Sequence, residues 1–119
     1  MEDRVDLDEK LALLDGPYSP GIVGYLNDYK LAVVKVLGEF VWHSHPDTDD
    51  FFLVLRGRLT IRLRDRDVVL EPGQLFVVPR GVEHCPTADE ETHVLLIEPR
   101  STVNTGDAGG PLTAAEREI

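Results

Sequence analysis

Residues 40–64 read FVWHSHPDTDDFFLVLRGRLTIRLR, and the fold is decided here. In its second half, Leu59, Ile61 and Leu63 alternate with Arg58, Thr60, Arg62 and Arg64. That period of two belongs to a strand with one buried and one solvated face. The run DFFLVL before it is aromatic and branched, has strand length, and is closed by Arg56-Gly57-Arg58, which reads as a hairpin turn.

Outward from this stretch the same texture continues. KLAVVKVL, EFVWH, DVVL, QLFVVP and HVLLIE are further candidate strands. Asp65-Arg66-Asp67 reads as a turn, and Glu71-Pro72-Gly73 as a turn with positive φ at the glycine. Sequential strands are therefore expected to be hairpin neighbours in an all-β sandwich or barrel. The one helical signal is VDLDEKLALL at 5–14, with Leu7, Leu11 and Leu14 on one face and acidic residues in the first turns. Asp15-Gly16-Pro17 ends it. The expected organisation is one domain over 1–119: a helical arm at 1–16, a barrel at about 22–98, and an extended tail at 99–119, either loose or laid across a neighbouring surface.

Composition narrows the function classes. Twenty-two acidic against 12 basic residues give a net charge of −10, which repels nucleic acid and anionic membranes at long range. No apolar run approaches the roughly 18 residues of a membrane span. A single cysteine, Cys85, and an acidic rather than signal-like N-terminus suit a cytoplasmic protein.

The chemistry sits in the histidines. His43 and His45 are two apart in a strand-like run, which places both imidazoles on one face. Asp50 follows after Pro46-Asp47-Thr48-Asp49 has had room to bend the chain, and His84 follows a strand closed by Pro79-Arg80-Gly81. Three imidazoles with one oxygen ligand suit one divalent transition metal ion, whether Fe, Mn, Zn, Ni or Cu. The absence of thiolates argues against a closed structural zinc site. Asp47 and Asp49 read as a solvated turn rather than a calcium loop. Cys85 is read as a small apolar filler and His93 as structural or surface. Arg58, Arg62 and Arg64 are read as a solvated sheet face. Phe52 and Val41 are the expected pocket walls.

Together these residues resemble the cupin superfamily. Gly38, His43-Ser44-His45, Asp50 and Gly57 approach its first motif; Gly73, Pro79-Arg80-Gly81, His84 and Ala88 approach its second. The resemblance covers about residues 29–98. It implies a two-sheet jelly roll, or double-stranded β-helix, with the metal inside the barrel. More narrowly, the text around both motifs is similar to small stand-alone cupins likened to mannose-6-phosphate isomerase. Gly38 lies one residue closer to the first histidine than in the family pattern, and Ala88 replaces an asparagine. Asp50 stands where glutamate is usual, and its shorter arm leaves contact through water, a weak direct contact, or none as alternatives.

The functional expectation is a metal-dependent enzyme acting on a small polar molecule, with isomerase-like and dioxygenase-like chemistry both open and no general base identified. The alternatives are a non-catalytic small-ligand-binding module and a scaffold that keeps the metal for stability alone. A homodimer is expected, from an outer apolar face carrying Phe40 and Trp42 with the helix and tail wrapped around the partner.

Overall fold

The structure is a computed structural model that describes residues 3–119; Met1 and Glu2, at the start of the expected helical arm, lie outside the described residues. It contains one short helix, α1 (Leu7–Leu11), and eight strands: β1 (Gly21–Leu26), β2 (Tyr29–Glu39), β3 (Asp50–Arg56), β4 (Leu59–Leu63), β5 (Asp67–Leu70), β6 (Leu75–Val78), β7 (His84–Pro99) and β8 (Arg117–Glu118). Asp6 caps the helix by accepting from the Glu9 amide.

The strands run in the order β5-β4-β7-β2-β1-β8, with β3 bridging β6 and β7. Strand β7 makes this a jelly roll. Its first residues pair with β4 (Leu63↔His84), its later ones with β3 (Leu53↔Leu95), and its other edge follows β2 along most of its length. The long β2–β7 ribbon is thus shared by two layers that fold over a common core. Ala32, Val34 and Val36 of β2, Phe52 and Val54 of β3, Leu59 and Ile61 of β4, and Val94 and Leu96 of β7 fill it.

Several sequence expectations change. Arg56-Gly57-Arg58 is not a hairpin turn, because β3 and β4 do not pair; the chain crosses there between the layers. Thr92 holds the crossing, its Oγ accepting from the Arg58 amide at 3.1 Å. Gly73 has the expected positive φ, +83°, but its turn also links strands that do not pair, β5 and β6. The Arg64–Arg66 turn does close a hairpin, between β4 and β5. Strand β1, the first half of β7 and β8 carried no recognised strand signal.

EFVWH is not a strand: β2 ends at Glu39 and His43 makes an isolated bridge to His84. Phe40 donates its amide to Pro86, and His43 to His84 at 3.0 Å, so three residue steps on one side face two on the other. The extra residue turns the chain over, as a β-bulge does. Phe40 therefore continues the inward row of β2, and His43 also points inward. This removes Phe40 from the outer face; it is a core residue stacked on Tyr18. Trp42 does face outward, but beneath the guanidinium of Arg64, 3.8 Å from the ring centre.

The arm and tail wrap this chain itself. Leu11 and Leu14 cover Val33 on the outer side of β2, packed with Val23, Leu95 and Ile119. The tail runs back over the mouth of the barrel: Thr105 is fully buried, Leu112 packs on the core, and β8 lies parallel to β1. No helix among the described residues is long and apolar enough to cross a membrane.

Candidate metal centre

The inversion at Phe40–His43 and the bridge to His84 bring the two histidine motifs together. His43, His45, Asp50 and His84 are all buried, and each offers a ligand atom within 4.8 Å of the others'. His43 and His84 lie closest, their ring centres 4.3 Å apart.

The backbone sets which nitrogen each ring presents. His43 Nδ1 lies 2.9 Å from the Val41 carbonyl, and His84 Nδ1 lies 2.9 Å from the Val82 carbonyl. A carbonyl can only accept, so both rings donate from Nδ1 and turn Nε2 toward the centre. Such outer contacts orient metal-binding imidazoles and fix their tautomer. Phe40 and Phe52 meet His43 and His84 edge-on and limit ring rotation.

Asp50 opens β3 and reaches fully into the cluster. Its Oδ2 lies 2.9 Å from His84 Nε2 and 3.2 Å from His45 Nε2. Burial alone would raise its carboxyl pKa, but hydrogen bonds and charge from His45 and His84 more than offset this and hold it at about 2. His43 is lowered to about 4, first by burial and then by repulsion from His84.

The donor set fits a divalent cation on this geometry. One carboxylate oxygen faces two imidazole nitrogens, and without a cation each contact needs a hydrogen. A single metal ion replaces those hydrogens with one concentrated positive charge.

The centre forms one wall of a cavity of about 50 Å³. Tyr18, Val34, Phe40, Phe52 and Leu96 make it mostly apolar, with Glu98 and Asn104 as its other polar side chains. Phe52 lines it as expected, whereas Val41 packs against the core. Cys85 takes no part: it lies near Glu39, and burial followed by that carboxylate pushes its thiol up to about 11. His93 pairs with Glu91 at 3.0 Å, apart from the cavity. Half-buried Arg62 and exposed Arg64 are paired with Glu39 and Glu83.

Sequence reasoning missed Glu98, Asn104 and the strap that carries Asn104. A signal for Glu98 was present, since it shares strand parity with Val94 and Leu96 and therefore faces inward. The strap had none: Asp107 accepts from the amide and hydroxyl of Ser44, at 2.8 and 3.0 Å, between the first two histidines.

Comparison with known proteins agrees with the fold. The cupin domain family model matches residues 31–98. The chain is 32% identical over 77 residues to the uncharacterized protein YdbB of Bacillus subtilis, covering 64% of this chain and 68% of that one. A cupin-2 domain containing protein from Shewanella frigidimarina has a solved structure that superposes with a TM-score of 0.79 at 45% identity, over 81% of this chain and 94% of that one. Protein NMB1881 from Neisseria meningitidis superposes with a TM-score of 0.75 at 26% identity, over 82% and 99% respectively.

Proposed function

Because the chain belongs to the cupin domain family, we propose that it binds one divalent transition metal ion through His43, His45, Asp50 and His84 and acts as a metal-dependent enzyme on a small molecule. The observation that carries this is the paired orientation of His43 and His84, each held at Nδ1 by a backbone carbonyl so that Nε2 is left free for the cluster, where Asp50 meets His84 Nε2 at 2.9 Å. A bound ion would supply Lewis acidity toward an oxygen of the ligand, or oxygen chemistry if it is iron.

The cavity supports a substrate with an apolar body and few polar groups. A sugar phosphate, as isomerase-like chemistry would need, requires many hydrogen bonds and a cation for its phosphate, yet aromatic and branched side chains dominate these walls. The preferred class is a compact molecule with one or two oxygens directed at the centre and at Glu98. We place the protein in the cytoplasm, where a free buried Cys85 is unremarkable. We also propose a homodimer formed along β6, which among the described residues pairs only with β3 and carries the exposed side chains Leu75 and Val77.

Elemental analysis of protein purified without added ions tests the metal. Close to one equivalent of a transition metal is expected, lost when His43→Ala and His84→Ala are combined. Unchanged metal content in that double variant would remove the assignment. Turnover assays with small apolar oxygen-bearing compounds then separate an enzyme from a binding module.

A further inference from the structure

One buried group of charges lies outside the four-residue centre. Lys30 on β2 and Glu98 on β7 are cross-strand partners, and each is only 3% exposed. Lys30 Nζ lies 2.7 Å from Glu116 Oε2 on the C-terminal strap and 3.6 Å from Glu98 Oε1, and it donates to the Thr102 carbonyl at 2.8 Å. Two buried carboxyls thus share one ammonium. Glu98 and Glu116 lie close enough for their carboxyls to interact directly, and among the described residues no donor other than Lys30 approaches them.

Full ionisation would leave an uncompensated negative charge in the interior, with Asp50 adding to it from β3. Such an arrangement is costly, and two carboxyls in one site relieve it by keeping a proton. Glu98 is also part of the wall of the cavity that His43, His45 and Asp50 line.

We propose that Glu98 is the proton-exchanging residue of this cavity, acting on the molecule held at the His43, His45, Asp50 and His84 centre, with Lys30 and Glu116 as positioning residues. This rests on the metal-dependent reading above. As a donor, Glu98 breaks its O–H bond, passes the proton to an oxygen of the bound molecule and keeps the electron pair as a carboxylate that Lys30 stabilises. As an acceptor, it takes the proton back at the same oxygen. Burial first, and repulsion from Glu116 next, raise its pKa above the usual carboxylate range despite Lys30, the direction that lets a buried carboxyl hold a proton it can give up.

The test uses the full chain loaded with cobalt(II), with acetohydroxamate as a small metal-binding probe. Infrared spectra should show a protonated-carboxyl band at neutral pH that Glu98→Gln removes while leaving cobalt content unchanged. The band should shift when acetohydroxamate binds, as registered by the visible spectrum of cobalt. Glu116→Gln should lower the pH at which the band disappears, and Lys30→Met should raise it. A structural role alone would give no response to the probe.

The proposal is overturned if no band depends on Glu98, if the band is the same with and without bound probe, or if the probe leaves the cobalt spectrum unchanged. It also fails as regards Lys30 and Glu116 if neither substitution moves the titration. Failure to take up cobalt at all would instead bring down the metal reading, and this proposal with it.

Discussion

Replacing Asp50 by glutamate restores the residue usual in the family, and the structure predicts that it weakens metal binding. Asp50 Oδ2 already lies 2.9 and 3.2 Å from two imidazole nitrogens, so its shorter arm is matched by the position of β3. The residue is 6% exposed and its carboxylate already meets His45 and His84, so another methylene carries the oxygen past them or into the adjoining cavity. Forcing a longer side chain into a position fitted to the shorter one costs about 1–3 kcal/mol. If that cost falls on the metal-bound state, the dissociation constant rises roughly 5- to 150-fold. Asp50→Ala should also weaken binding, by about 1.5–3 kcal/mol for the loss of a charge-assisted contact. Competition titrations of zinc against a chromophoric chelator measure all three proteins. Tighter binding by Asp50→Glu would refute the reasoning and show that the natural carboxylate falls short of the ion. Equal affinity in all three would show that Asp50 is no ligand.

Three further outcomes are expected. His43 is held neutral with its pKa lowered to about 4, so between that value and its unfolded value near 6.5 the folded chain binds fewer protons than the unfolded one. Stability of the metal-free protein is therefore present above pH 6.5 and falls by about 3 kcal/mol as the pH drops toward 4; urea denaturation should show this loss reduced in His43→Gln. Gly106→Ala places a methyl group against the Ser44 carbonyl and 3.0 Å from His43 Cδ2, at a φ of +53°, so the strap should lift and metal release in a chelator-exchange assay should quicken; an unchanged rate would mean that the strap does not hold the centre. Sedimentation at micromolar concentration should give a dimer that Leu75→Lys combined with Val77→Lys converts to a monomer; a monomeric natural chain would remove the β6 interface.

The sequence by itself determined most of the strand texture, a helix at Leu7–Leu11 within the longer 5–14 expected, and the four residues that the fold gathers into one buried cluster, because each is a local signal. Alternation at Leu59–Leu63 needs only the period of a strand, and His43, His45, Asp50 and His84 could be picked out by residue type and spacing. Its failures were of pairing. Arg56-Gly57-Arg58 looks like a hairpin turn, yet whether the next strand turns back or crosses to the other layer depends on where β7 offers a free edge. Phe40 was assigned to the wrong face because the inversion between Phe40 and His43 arises from three residue steps set against two at Pro86–His84, a relation between distant segments. The reach of Asp50, the clasp of Asp107 on Ser44, and the meeting of Lys30, Glu98 and Glu116 are of the same kind. Each depends on distances across the fold, which only the closed barrel with its strap laid over the mouth decides.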